Sequence, residues 1–571
     1  MIYVLADNII SPLGRTSEEN YHAVKAGSSA IRSYAPMTDG VPNGFMASLL
    51  SSDFEEIVFS SASKAISLSG IDVSDKRIIF ILSSTKGAIE NLGKTEDEKL
   101  YLGETAQRIA TRLGFRTRPI VVCNACISGS SALILASRLL QLGTYEHAVV
   151  CGADCPRQFI ISGFQSLNAM SFEACRPFDI ERQGLNLGEA AATVVLSSKI
   201  HSLSEEKRSK RIWQIGHGFI KNDAFHISAP SKMAEGLSEA LQQTMEGIDK
   251  EELAFINAHG TATMFNDQME SIALQRTELI DIPINALKGY IGHTLGAAGI
   301  FETILCMKSI DDNTILGTRG YEEAGVSGNV KITSENRRTE KPAFIKMLSG
   351  FGGCNATLYA KSVELSFKES VEKTIINRSS NTKKSHHVRI TPNGAWLDGK
   401  LLSLIGERGE KSLLTSIYKQ LINDYPKYYK MDGLCRLGFV ASELLLQAEK
   451  AESEVDNSVT KERAIILFNH TSSISSDKRY LASIADKDNF FPSPSVFVYT
   501  LPNIVTGEIA IRNGYHGETS FYILPQRDEK QMNEVIDTAF VDRKTKSVLT
   551  GWLDYEDNEN FEADMYILCA E

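Results

Sequence analysis

The amino-acid sequence predicts an α/β layered fold followed by a second, smaller α/β unit, and three observations carry this. Short, fully apolar runs alternate with helical periods through the first 361 residues. A polar stretch rich in Ser, Lys and Asn then breaks the pattern. Strand-like runs resume after it and continue to the end of the 571-residue chain. Runs that are apolar throughout suit strands covered by helices on both faces.

Taken in order, MIYVLADNIISPLG reads as a first strand entering a turn. It lacks the basic region and small-residue cleavage site of a secretory signal. IIFILSS is the next strand, followed by an amphipathic stretch, then the strand PIVVCNA, the helix ISGSSALILASRLLQLG and the strand HAVVCGAD. The same texture returns at AATVVLSS, ELAFINAHG, GLSEALQQTMEGI and AFIKMLSGFGG, and IWQIGHGF is also strand-like. SVELSFKESVEKTIINRSSNTKKSHH reads as an extended connection, with His386 and His387 expected in solvent at its end. The division is therefore residues 1–361, a linker at 362–387, and a second unit at 388–571 with strands RAIILFNH, SVFVYTLP, TSFYILP, SVLTGWLD and MYILCAE.

Composition excludes several classes. Hydrophobic content of 43% and charged content of 23% are those of an ordinary globular chain. No run of 18 apolar residues is present, so no membrane insertion is expected. A net charge of −11 argues against a nucleic-acid partner, and the basic cluster Lys207 to Arg211 reads as a solvated loop. Nine cysteines, an odd number without a framework, point to reduced thiols and a cytoplasmic location. Cys123 and Cys126 form a C-x-x-C without a second ligand pair, so no metal is expected.

An internal repeat links the two units. Ile109, Ala110, Arg112 and Gly114 recur as Ile509, Ala510, Arg512 and Gly514, with an apolar strand after each. Asp154, ending HAVVCGAD, is answered by Asp554, ending KSVLTGWLD. In this register the place of Cys126 is taken by Gln526, which cannot form a thioester. The second copy is therefore expected to be catalytically silent.

Four segments carry chemistry. VVCNACISGSSALILASRLL sets Cys126 between a strand and a small-residue helix, at a helix N-terminus that favours thiolate. NAHGTATMFNDQMESIAL ends a strand on His259, with Asp267 and Glu270 in the next helix. INALKGYIGHTLGAAGIFETIL places Lys288 five residues before His293, at the mouth of a Gly/Ala helix that must pack closely. SGFGGCNATL is a glycine-rich turn that can present backbone N–H groups.

Cys, then HGT, then K-x-x-x-G-H, then GFGG, in that order, resembles the β-ketoacyl-acyl-carrier-protein synthases of the thiolase-like superfamily. The opening SPLG and the stretch ACRPFDIERQGLNLGEAAATVVL belong to the same likeness, which covers residues 1–361. The resemblance implies a five-layer α-β-α-β-α core, with a C-terminal half-domain of the same type. It implies that Cys126 takes the acyl group from a carrier-protein thioester, with N–H groups of Cys126 and Phe351 as oxyanion hole. His259 and His293 would hold the malonyl thioester carbonyl as carbon dioxide leaves. Lys288 would order the histidines, Glu302 and Asp267 would support them, and Phe351 would gate the acyl pocket. Two histidines indicate an elongating synthase. No cofactor is implied beyond the phosphopantetheine of an acyl carrier protein, which is the expected partner.

Departures from the family pattern are Arg182-Gln183-Gly184-Leu185, Gly188-Glu189-Ala190, Cys354 in the last motif and a short segment near residues 36–60. The second unit resembles a degenerate half-synthase, like the chain-length factors of aromatic-polyketide, aryl-polyene and flexirubin-type pathways. Two arrangements stay open: a pseudo-dimer within one chain, or a homodimer through the synthase domain. Three other readings also stand. They are a silent chain-length-setting or scaffold subunit, housekeeping fatty-acid elongation, and a thiolase using Cys354 as second cysteine.

Overall fold

A computed structural model describes residues 1–36, 44–199, 211–364, 382–404, 412–452, 460–486, 490–542 and 544–571. Two sheets stack about an inner helix layer. In the first, Ile2–Ile10 pairs with Ala190–Ser197, which pairs with His147–Asp154. Ile78–Ser83 lies parallel to both His147–Asp154 and Ile120–Val122. The second sheet joins Ile212–Asn222, Cys354–Val363, Ala343–Gly350, Leu253–Asn257 and Ile284–Asn285.

Helices Ser128–Gln141 and Ala298–Asp311 run between the sheets, and their apolar faces join one core cluster. Their small residues let them meet backbone to backbone. A Cβ on Gly299 would stand 2.2 Å from Ser130 N, and one on Gly129 would stand 3.0 Å from Gly296 O. Phe54–Ser69 and Leu102–Leu113 cover the outer face of the first sheet, and Glu235–Met245 and Met264–Arg276 that of the second. The five layers expected from the sequence are all present. No helix among the described residues is long and apolar enough to cross a membrane.

The second unit repeats the first half of this plan. Ala464–Asn469 lies parallel to Thr519–Ile523 and to Ser547–Tyr555, whose other neighbour is Phe561–Ala570, itself paired with Thr382–Thr391. Helices Leu102–Leu113 and Ile504–Asn513 both close on a left-handed glycine, Gly114 and Gly514. Asp154 accepts the Thr85 N–H at 3.1 Å, and Asp554 accepts the Thr471 N–H at 3.1 Å. The same aspartate thus ties the same loop in both copies.

The copies meet along one antiparallel strand pair. Val122 faces Tyr522, Val121 faces Ile523, and the Cys123 N–H donates to Phe521 O at 3.0 Å. Val122 and Tyr522 are equivalent residues 400 apart, so the chain carries a local two-fold axis through this pair. The first sheet therefore runs unbroken from one unit into the other, as a pseudo-dimer within a single chain.

Three expectations are corrected. SVFVYTLP is not a strand: Pro494–Tyr499 is a helix, because Ser493 caps the Val496 N–H and Pro494 stands where helices tolerate it. The stretch assigned to the linker includes the strand Thr382–Thr391. There His386 is buried against Asp398 at 2.9 Å, and His387 bonds Asp564 at 2.5 Å, so neither is a free solvent histidine. Residues 365–381 of that stretch, and Lys207 to Lys210 of the basic cluster, lie outside the described residues.

Candidate active site

Cys126 stands in a short turn, Ala125–Ile127, between Ile120–Val122 and the inner helix. Ala125 has φ +47°, a left-handed conformation unusual for a residue with a side chain. The turn is built twice: Leu295, at φ +51°, precedes the other inner helix in the same way. Asp154 ties the loop Ser84 to Lys86 to the Leu295 turn, accepting from Ser84 Oγ, the Thr85 and Lys86 N–H groups and the Gly296 N–H.

His259 leaves the end of Leu253–Asn257, and His293 precedes the Leu295 turn. Cys126 Sγ and one ring nitrogen of each histidine lie within 4.8 Å of one another. The rings are 5.0 Å apart and nearly perpendicular. His293 Nδ1 accepts the Leu295 N–H at 3.4 Å, which leaves the proton on Nε2, and Nε2 is buried without a partner. Nδ1 of His259 is also buried and unpartnered. Burial pushes both histidines well below their ordinary pKa, and the positive charge of Lys288 acts in the same direction. Both are neutral imidazoles at physiological pH. Three such donors could also bind a soft metal ion, but His293 has already committed its Nδ1 lone pair. The arrangement suits N–H donation to a substrate oxygen.

Two carboxylates of the helix Met264–Arg276 hold the His259 loop by its backbone. Glu270 accepts from the His259 N–H at 2.6 Å and the Gly260 N–H at 2.8 Å, while Asp267 accepts from the Phe178 N–H at 2.7 Å and the Ala262 N–H at 3.2 Å. Asp267 is therefore a loop anchor. Lys288 Nζ donates to His259 O at 2.6 Å and to Glu302 at 2.7 Å.

Sequence reasoning missed Lys346, which donates to the other oxygen of Glu302 at 2.6 Å and to Ala258 O at 3.1 Å. Its signal was a lone lysine inside the apolar strand AFIKMLSG. Burial pushes the Glu302 carboxyl up, but the two lysines outweigh it and hold it below its ordinary value. One carboxylate between two ammonium groups leaves a net positive charge beneath the histidines.

The GFGG turn brings the Phe351 N–H toward Cys126 Sγ, beside the N–H of Cys126 itself. Burial pushes the thiol up to about 12, outweighing Lys288 and these N–H groups. Against the thiolate expected from the helix N-terminus, burial works to keep the proton on the sulfur until it reacts. Cys123, the other half of the C-x-x-C, turns away and approaches Thr85 O. Cys354 lies behind the turn against Phe351 O at 3.3 Å.

The cleft over these groups has a volume of about 420 Å³, with Met264 and Phe265 at its edge. Behind Cys126 a second, apolar recess is almost filled, with about 20 Å³ free, room for little more than the ~10–15 Å³ that one water needs. Phe497, Thr500 and Leu501 of the second unit close it. The Phe497 ring lies against Gly163, where a Cβ would stand 2.1 Å from it. Asn503, from the same unit, donates to Phe351 O at 2.8 Å.

Gln526 does not enter the site. It is exposed, with its amide oxygen turned to the Arg118 guanidinium at 3.0 and 3.2 Å. No positive φ marks its turn, unlike Ala125.

Comparison with known proteins agrees with this geometry. Residues 103–201 match the family model for the beta-ketoacyl synthase N-terminal domain, and residues 214–322 that for its C-terminal domain. The chain is 34% identical over 253 residues to 3-oxoacyl-[acyl-carrier-protein] synthase 2 of Rhizobium meliloti, covering 42% of this chain and 59% of that protein. It is similar to a beta-ketoacyl synthase crystal structure from Burkholderia phymatum, with 25% identity and a TM-score of 0.57 over 63% of this chain and 99% of the other. A PfaC keto synthase–chain length factor structure matches in fold over 100% of this chain and 78% of its own, with a TM-score of 0.71 and 14% identity.

Proposed function

From the premise that this chain carries the N- and C-terminal domains of the β-ketoacyl synthase family, and so is a condensing enzyme, we propose that it extends an acyl chain by two carbons through decarboxylative Claisen condensation. One observation supports this reading above all. A cysteine sulfur, two neutral histidines and two backbone N–H groups converge at one point of a cleft.

In the first half-reaction Cys126 attacks the thioester of an acyl carrier protein. Its proton passes to the departing phosphopantetheine thiol, with a neutral imidazole within 4.8 Å able to relay it. The N–H groups of Cys126 and Phe351 hold the tetrahedral oxyanion. In the second, the ring N–H groups of His259 and His293 bind the thioester carbonyl of malonyl carrier protein. As carbon dioxide leaves, the electron pair moves onto that oxygen as an enolate. The carbanion then attacks the Cys126 thioester and expels the thiolate. Lys288 and Lys346, held by Glu302, keep the His259 loop in place, and their positive charge adds to burial in keeping both rings unprotonated. No resident cofactor takes part, because both substrates arrive on a phosphopantetheine arm.

The second unit carries Gln526 in the place of Cys126 but reaches the recess behind Cys126, where an acyl chain would lie. It acts as a chain-length factor, and the product is a polyene or other specialised acyl chain. Ordinary fatty-acid elongation is the alternative, favoured by the identity to 3-oxoacyl-[acyl-carrier-protein] synthase 2. Product analysis with acyl and malonyl carrier protein separates them. With a series of saturated acyl carrier proteins as primers, condensation that stops at one acyl length supports the first, and condensation at every length offered overturns it.

A further inference from the structure

The contact between the two units contains two deeply buried ion pairs, and both have the cation on the synthase side. Arg138 meets Glu518 at 2.6 Å, with the side chains 8% and 7% exposed. Lys86 meets Asp477 at 2.6 Å, with 4% and 6% exposed. Pairs of the opposite polarity, Lys478 with Asp97 and Lys544 with Glu246, are well exposed at the rim. Glu518 is also tied to the nucleophile turn: it accepts from Ser520 Oγ at 3.0 Å, and Ser520 Oγ accepts from Asn124 Nδ2 at 3.3 Å.

The local two-fold axis tells what a second synthase would place at these points. Equivalent residues at the axis are 400 apart, as Val122 and Tyr522 show, so the counterpart of Glu518 is Arg118. In the strand that leads into the Thr85 loop the spacing is 385, since Leu82 pairs with Val121 and Cys151 as Leu467 pairs with Phe521 and Gly551, so the counterpart of Asp477 is Leu92. A second copy docked in the same way would set its Arg118 against Arg138 and its Leu92 against Lys86. By symmetry each mismatch would occur twice, and every buried cation would lose its anion. A buried charge left unpaired is costly, and two like charges brought together cost more.

We propose that Arg138 and Lys86 are specificity residues that commit the synthase face to its own tethered unit and exclude a second synthase. The exclusion is written in the charges, because the strand pairing at Val122 is backbone-made and would accept a copy equally well. The synthase therefore works only as one half of a single-chain pseudo-dimer.

Charge exchange in the full chain tests this. Wild type should scatter light as one chain. Glu518→Arg should lower the unfolding midpoint and the yield of acyl-Cys126, and Arg138→Glu combined with Glu518→Arg should recover most of both. Glu518→Gln, which removes the anion without adding a cation, should fall between wild type and Glu518→Arg. Three results would overturn the proposal. They are a two-chain wild-type particle crosslinked synthase to synthase, a double variant no better than Glu518→Arg, and a Glu518→Gln chain as damaged as Glu518→Arg.

Discussion

Phe497→Ala is the sharpest probe of what the second unit does. Its ring packs edge-on against Phe164 and tilted against Tyr480, covers Gly163 and leaves about 20 Å³ behind Cys126. Removing the ring frees on the order of 100 Å³, and a large-to-small change at a buried Phe costs about 3–5 kcal/mol of stability. That space admits roughly four methylene groups, each worth about 0.8 kcal/mol when buried. The gain for a longer acyl chain is then about 3 kcal/mol, or on the order of 100-fold in preference. The partitioning is read by offering an equimolar series of acyl carrier proteins and weighing the acyl-Cys126 adducts. Wild type should favour the short members, and Phe497→Ala should move the maximum to longer chains. A folded variant with an unchanged profile would refute the placement of the acyl chain in this recess.

Three further outcomes follow from the site. Glu302→Gln leaves Lys288 and Lys346 buried without a counter-charge, which should cost about 3–5 kcal/mol in denaturant unfolding, and adding Lys346→Met should recover part of it. Equal stability of wild type and Glu302→Gln would show that the lysines do not depend on it. Asn503→Ala frees Phe351 O and should slow acyl transfer to Cys126 about tenfold, less than loss of a direct oxyanion donor, while thermal stability changes little. An unaltered acylation rate would remove Asn503 from the account. Because both histidines are depressed below the ordinary value of ~6.5, the folded state binds fewer protons than the unfolded one as pH falls. Malonyl decarboxylation should therefore stay level from pH 8 to below 6.5, with their contribution to stability lost as pH drops under 6.5. A decarboxylation rate that halves near pH 6.5 would mean that the imidazoles protonate there.

Much of the site was legible because its parts sit at strand ends and their chemistry is local. Cys126 and His259 follow apolar runs, and His293 follows a lysine at short spacing. The five layers were readable because buried strands are apolar throughout. What escaped notice depended on partners far away in sequence. Lys346 looks like a misplaced charge until Glu302 is seen to bridge it to Lys288. Pro494–Tyr499 looks like a strand because Val496, Phe497 and Val498 favour one, and the Ser493 cap decides otherwise. The repeat pointed to Gln526 as the residue in the place of Cys126. The reach of the second unit into the site instead comes from Phe497 and Asn503, outside the motif that revealed the repeat. The buried ion pairs between the units join residues hundreds of positions apart, and their mismatch with a second synthase follows only from the axis at Val122 and Tyr522, which makes Arg118 the counterpart of Glu518.

The central claim is that Cys126 carries the acyl chain while His259 and His293 direct the carbanion onto it. Intact-mass and peptide mass spectrometry after mixing the chain with an acyl carrier protein tests this most directly, with malonyl carrier protein added in a second step. The account predicts acylation at Cys126, its discharge to a product two carbons longer, and loss of both in Cys126→Ala. In His259→Ala the acyl-Cys126 adduct should form and then persist. Acylation of the Cys126→Ala chain, or full extension by the His259→Ala chain, would contradict it.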